Sequence, residues 1–274
     1  MRAGRDPVHS GRGRPLLDSV FVDTVAAKYV ERLLAATVAG TNTSHGARGN
    51  LEKIHMLLEG APNTTFGMED LLRGVTYEEA YGSVAERIGN PPDLEENEGR
   101  GCIDPTRAAA GLLEAGGRIR AVAEGGGAAV FATGHPGALL VYYLGLASWF
   151  EDLGGKTLLT EPRIRPDDGG TPLDWVGPVA VLGDGASLRH SHDPAPMRRI
   201  LEEIGTPDLV VADHGFAGAA VAAGIPTVAI MDTNDPALAV VARRGAKHLT
   251  VIPMDDNRPQ NSYAAALEVL QAAP

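Results

Sequence analysis

Only one of the 274 residues is cysteine, Cys102, so neither a disulfide framework nor a cysteine-built zinc cluster can form. Arg107 lies one position too near Cys102 for a tyrosine-phosphatase loop, and this thiol reads as a small buried hydrophobe. Basic residues are outnumbered, 24 Lys+Arg against 35 Asp+Glu, which gives a net charge of -11. Such a balance excludes nucleic acid and membrane surfaces as partners, since both are densely negative. Arg2, Arg5, Arg12 and Arg14 are followed by no apolar core before Pro15, so the opening is not a signal peptide. Residues 1–15 read as a disordered tail on a cytoplasmic protein. Asp18, Asp23, Lys28, Glu31 and Arg32 rule out a membrane span in the apolar-periodic stretch that follows.

Several catalytic signatures are missing as well. No G-x-G-x-x-G follows a strand, and no G-x-S-x-G occurs. Gly155-Lys156-Thr157 ends like a phosphate loop, but Phe150 stands where that motif opens with glycine. Asp232-Thr233-Asn234 begins like a haloacid-dehalogenase site, yet asparagine at 234 cannot serve as the acid.

What is present divides near residue 100. Residues 16–39 carry apolar residues at helical spacing, and Gly40 to Ser44 should stop that helix. Further helices are expected at 48–59, 68–73 and 77–88, the last opened by Thr76 with Glu79 in capping-box position. The proline-broken, polar stretch 90–101 marks a boundary or loop, so residues 16–100 form a helical N-terminal subdomain. From 101 to 274 strands and helices alternate. Strands are expected at 128–133, 156–160, 179–182, 209–212, 227–231 and 248–252, with helices at 106–123, 137–153, 194–204, 215–223, 236–243 and 262–271. Residues 162–175 are irregular, a loop or hairpin leading into Val179. The alternation predicts an α/β fold, a doubly wound, mostly parallel Rossmann-like sheet.

The polar turns of that sheet fall at the carboxyl ends of its strands, where open α/β sheets bind ligands. They are Thr133-Gly134-His135, Gly183-Asp184-Gly185, Asp213-His214-Gly215, Asp232-Thr233-Asn234-Asp235 and Asp255-Asp256-Asn257-Arg258, with His190-Ser191-His192 opening a helix. Oxygen-rich turns suit a hard divalent cation, magnesium or manganese, with Asp213, Asp232, Asn234 and Asp235 as ligands. The histidines are able to join the metal, contact phosphate or move protons. Helix capping is the competing explanation for any one acid, as at Asp235-Pro236 and Asp193-Pro194. Four histidines and at least four acids on one edge exceed what capping needs, which favours a site. Asp255 and Asp256 read as a solvated loop, and His9, His45, His55 and His248 as lying outside the site.

Arg48-Gly49-Asn50, Phe66-Gly67, Ile103-Asp104-Pro105, Phe131 through Pro136, Asp184 through His192, Asp213 through Gly218, Asp232 through Asp235 and Ile252 through Pro259 together resemble a family of actinobacterial cytoplasmic phosphatases. The likeness covers nearly all of the chain from about residue 48. A helical part leading into an α/β domain with Asp-containing turns also resembles the metal-dependent damage-control phosphatases. Asp213-His214 here stands where those enzymes carry Asp-Asn.

The expected function is therefore metal-dependent hydrolysis of a small phosphorylated metabolite, a sugar or nucleoside phosphate. Asp213, Asp232 and Asn234 or Asp235 would hold the cation. Thr133, Gly134 and His135 at a helix start would bind phosphate, with His190, Asn50 and Arg258 or Arg48 completing the pocket. His214 or His192 would protonate the leaving alcohol, and Asp213 counts among the catalytic groups. The alternatives are a sugar-phosphate binding or isomerase module and another acid–base biosynthetic enzyme. A homo-oligomer is neither required nor excluded.

Overall fold

In the computed structural model, residues 28–90, 98–161 and 171–274 are described. Within them the chain opens with helix α1 (Val30–Ala35), strand β1 (Gly40–Gly46), helix α2 (Ala47–Leu58), the single turn α3 (Pro62–Thr65) and helix α4 (Tyr77–Ile88). Strands β2 (Gly89–Asn90) and β3 (Arg100–Ile103) follow, and the order β1-β3-β2 makes a small antiparallel sheet. The expected tail and the first turns of the 16–39 helix lie outside the described residues, as do positions 91–97 and 162–170.

The N-terminal part is thus helical with a sheet inside it. Gly40 to Ser44 does end a helix, but it continues as β1 rather than as a loop. That strand is Gly-Thr-Asn-Thr-Ser-His-Gly, with no apolar alternation to announce it. Its pairing with β3 and its bonds to Asp255 hold it instead. The helix expected at 68–73 is a run of turns, bracketed by Gly67 and Gly74, both at positive φ. Helix α4 forms as its capping signal predicts, with the Thr76 hydroxyl accepting the Glu79 N–H at 3.2 Å. Cys102 is half-buried in β3.

Beyond β3 come α5 (Pro105–Glu124), β4 (Ala128–Ala132), α6 (Pro136–Asp152), β5 (Lys156–Thr157), β6 (Leu173–Val176), β7 (Val179–Gly183), β8 (Leu188–Arg189) and α7 (Ala195–Ile204). The chain ends with β9 (Leu209–Asp213), α8 (His214–Ala222), β10 (Thr227–Met231), α9 (Pro236–Arg243), β11 (Leu249–Pro253), a 3-10 turn (Gln260–Tyr263) and α10 (Ala264–Gln271). The large sheet runs β11-β10-β9-β4-β7-β6, parallel from β11 to β7, with β6 antiparallel at its edge. Every residue of β7, β9, β10 and β11 is buried, as expected of strands covered by helices on both faces. The fold is the doubly wound α/β class. The strand expected at 156–160 shrinks to two residues because β7 takes over the same edge of β4 from Phe131 onward. Among the described residues no helix is long and apolar enough to cross a membrane.

From β4 the chain moves to β7 on one side, and from β9 to β10 on the other. The strand order therefore reverses between β4 and β9, and a crevice opens outside their carboxyl ends. Thr133-Gly134-His135 and Asp213-His214 are the residues at that point.

The small sheet and its helices share one apolar core with the large sheet, and α4 packs on α9. Arg244, just past α9, grips Glu79 of α4 through two bonds of 2.7 Å and donates to the carbonyls of Leu71 and Arg73. The Arg244 hydrogen bonds pull the Glu79 carboxyl below its ordinary 4.5. A depressed carboxylate stabilises the fold above its unfolded pKa and stops doing so as pH falls through the folded one. Arg244→Ala is therefore expected to lower unfolding stability by about 1 kcal/mol at neutral pH, because the pair is partly solvent-screened. The gap between urea melts of the two proteins should narrow as pH falls below 4.5, the bonds to the Leu71 and Arg73 carbonyls keeping the remainder, and an undiminished gap there would refute the assignment.

Candidate functional site

Asp213 closes β9, and its carboxylate is fully engaged. One oxygen accepts the Gly134 N–H at 2.7 Å and the His214 imidazole at 2.8 Å, and the other accepts the Thr133 hydroxyl at 2.6 Å. The His135 N–H in turn donates to the Thr133 oxygen at 2.9 Å. The anion held by the turn before α6 is thus the protein's own Asp213, at the switch point between β4 and β9. The N–H groups of Gly134 and His135 and the Thr133 hydroxyl are already taken, which removes them as the expected phosphate donors. The start of α8 is closed as well, since a Cβ on Gly215 would fall against the backbone of His192 and Asp193.

His214 itself adopts a φ of +46, a left-handed conformation uncommon outside glycine. This places its ring between two carboxylates, Nδ1 at Asp213 and Nε2 3.2 Å from Asp256. Burial opposes its charge, but the bonds to Asp213 and Asp256 outweigh it and raise its pKa. His135 lies 3.4 Å from the other oxygen of Asp256, in ion-pair range, yet neither atom has a hydrogen-bond partner. His135 and His190 stack with centroids 4.1 Å apart, and His192 stacks on His214 at 4.3 Å.

His190 and His192 face each other through their Nε2 atoms at 2.9 Å, and His192 Nδ1 donates to the Asn63 carbonyl at 2.7 Å. Burial, reinforced by neighbouring imidazoles, lowers His190 to about 4 and His192 to about 3. His192 therefore has no proton to give at neutral pH. With both nitrogens of His214 engaged by carboxylates, neither expected general acid is free for that role.

On the other side of the basin lie Asp232, Asp235 and Asp256, all buried. His45 reaches Asp232 from β1 at 2.9 Å. Burial works against the His45 charge, but the hydrogen bond and charge of Asp232, with Asp256 and Asp235 behind it, raise it to about 9. Burial raises Asp232 to about 7 despite His45, with the charges of Asp256 and Asp255 adding to the effect. Asp235 accepts the Asp232 N–H at 3.0 Å and makes no cap bond to α9. Asp193 accepts the Ala195 N–H at 2.9 Å from the turn just before α7, whose N-cap position is held by Pro194, and Asp184 closes its own turn.

A family model described as Phosphatase matches residues 24–272 of the chain. The chain belongs to the Phosphatase family. It is similar to Phosphatase SCO2771 of Streptomyces coelicolor, 34% identical over 236 residues that cover 84% of this chain and 88% of that protein.

Among the described residues of this phosphatase-family chain, three groups bring ligand atoms within 4.8 Å of one another. They are His135, His190 and His214; His45, Asp232 and Asp256; and His214, Asp235 and Asp256. Any of these could hold a metal ion. The unpartnered buried oxygens of Asp256 and Asn234 and the unpartnered His135 Nδ1 fit that use, because orphaned buried polar atoms are costly unless something binds them. Of the expected ligands, Asp232 and Asp235 join the cluster and Asn234 offers its free oxygen beside it. Asp213 falls in none of the three groups, its oxygens being bonded to Gly134, Thr133 and His214, and it holds the His214 ring.

Other expected residues fall elsewhere. Arg48 pairs with Glu52 on the exposed face of α2, away from the cluster. Asn50 is buried and accepts from the Thr233 hydroxyl at 3.2 Å, supporting the Asp232 turn from below. Arg258 contacts Asp255 at 2.7 Å, though its Nε–H is not aimed along that line, and it also donates to the Asn42 carbonyl. Three residues expected outside the site belong to it or brace it. His45 is a direct member, and Asp256 is its centre. Asp255 is fully buried, accepts from the Ser44 backbone and hydroxyl at 2.7 and 2.6 Å, and so pins the strand that presents His45. The readable signal for both acids was that they follow β11 just as Asp213 follows β9.

Proposed function

We propose that this chain is a metal-dependent phosphatase that hydrolyses a small-metabolite phosphomonoester, a sugar or nucleoside phosphate. The observation that supports it best is the convergence of Asp232, Asp235 and Asp256 with His45 and His214 outside the strand ends of a Phosphatase-family fold. His45, Asp232 and Asp256 would hold a divalent cation, magnesium or manganese, with the Asn234 oxygen beside them. When bound, such a cation neutralises phosphoryl oxygens and makes water a better nucleophile at neutral pH. In the reaction a water oxygen bonds to phosphorus, the ester P–O bond breaks, and a proton from that water ends on the leaving alcohol.

The chain's own groups prepare that step. Asp213 accepts from His214 Nδ1 and so orients the ring's other nitrogen toward Asp256. The neutral imidazole of His190 lines the rim, held from behind by His192. Phe66, edge-on to both His192 and His214, screens one side of the basin from water. A sugar-phosphate binding or isomerase module is less well supported, because its helix-start N–H groups would have to be free. The proposal keeps the cytoplasmic setting expected from composition, with a small phosphorylated metabolite as partner and neither nucleic acid nor membrane.

The test is phosphate release from a panel of sugar and nucleoside phosphates, with magnesium, manganese or EDTA. Release is expected to require metal and to vanish in EDTA, returning when metal is added back. Undiminished turnover in EDTA would refute the metal-dependent reading, and no release from any phosphomonoester with either metal would refute the hydrolase.

A further inference from the structure

Resting on that reading of the basin, we infer that it takes two divalent cations. One lies among His135, His190 and His214, the other among His45, Asp232 and Asp256, with Asp256 between them. The two trios share no residue, and in each the ligand atoms lie within 4.8 Å of one another. The third group, His214, Asp235 and Asp256, overlaps both and joins them into one centre.

Hydrogen positions support the imidazole trio. Asp213 accepts the Nδ1 hydrogen of His214 and so turns Nε2 on Asp256, 3.2 Å away, where a cation would replace the Nε2 proton, the arrangement in which carboxylates orient metal-binding histidines. The Asn63 carbonyl can only accept, so His192 carries its hydrogen on Nδ1 and turns a lone pair on His190, fixing that ring from behind. His135 Nδ1 and Asp256 Oδ1 are both buried, 3.4 Å apart and without hydrogen-bond partners. A single cation in the carboxylate trio leaves the imidazole trio with nothing to bind.

Charge points the same way. Asp232, Asp235 and Asp256 are buried carboxylates, and a phosphomonoester adds about two more negative charges, a concentration that divalent cations would compensate. Among the described residues, Arg258 is engaged by Asp255 and Asn42, and Arg100 by the Ser44 carbonyl. The donor sets also differ in kind. Imidazoles suit manganese or zinc better than magnesium, whereas carboxylates accept magnesium and manganese alike.

The experiment is metal counting on the full chain, stripped with chelator, loaded with manganese or with magnesium and freed of excess. Two manganese per chain are expected, but one magnesium. His190→Ala and Asp232→Asn should each retain one manganese, with folding checked by circular dichroism. Spin coupling between paired manganese ions, read by electron paramagnetic resonance on the wild type, decides the matter even if a variant fails to fold. One manganese per wild-type chain, an uncoupled spectrum, or two manganese retained by His190→Ala would overturn the inference. Those results would leave metal-dependent hydrolysis standing if EDTA still abolishes turnover. Two coupled ions in a protein that releases no phosphate would uphold the pair and sink the hydrolase.

Discussion

Asp256→Asn is expected to reduce phosphate release by roughly 10³-fold, the scale on which loss of one preorganised electrostatic group is felt at a reacting centre. This carboxylate touches both halves of the basin, His135 and His214 through its two oxygens and the His45–Asp232 pair by proximity. Burial opposes its charge, but His135 and His214 hold its carboxyl well below the usual range, so it is an anion at any working pH. The amide keeps the shape and removes that charge, which separates chemistry from packing. Asp184→Asn is the control, since Asp184 closes an exposed turn away from the basin, and it should leave turnover within about twofold. A loss of less than tenfold in Asp256→Asn, with a normal melting temperature, would remove Asp256 from the centre.

The largest expected stability effect is that of Gly218→Ala, a change that would be favourable on an ordinary helix. Gly218 lies in α8, and a Cβ there would fall far inside contact distance of the Phe66 carbonyl and side chain. Both partners are rigid. Phe66 is fully buried at a left-handed φ of +54 next to Gly67, and α8 is buried along almost its whole length. Overpacking of this kind costs about 1–3 kcal/mol, and the backbone obstacle argues for the upper end. A drop in melting temperature of roughly 6–10 °C should follow for a chain of this size. Because Phe66 packs edge-on to His192 and His214, turnover below the melting point should fall too. An unchanged melting temperature would show that α3 can lift off α8 without cost.

Most of the large sheet was legible because buried parallel strands are written as short apolar runs between turns. The turns themselves then marked Asp213, His214, Asp232 and Asp235 as one edge. Roles were harder to read than positions. Asp213 looked like a ligand, but the turn after β4 folds onto it and uses up its oxygens, a contact between residues 80 apart that no local pattern records. His45 was invisible for a related reason, since β1 is polar throughout and owes its place to β3 and Asp255. Asp255-Asp256 resembled a solvated pair only when taken without the strand before it. Arg48 misled through proximity to Asn50 in sequence, though two residues along a helix, about half a turn, separate an inward face from an exposed one.

His45 meets Asp232 across 187 residues of chain. During synthesis the histidine is made long before its partners and must wait for Asp232 and Asp256 to follow. No shortened chain ending before residue 256 can hold the complete basin, however well its sheet has formed. Any cation site that uses Asp256 therefore cannot form until β11 and the turn after it have been made.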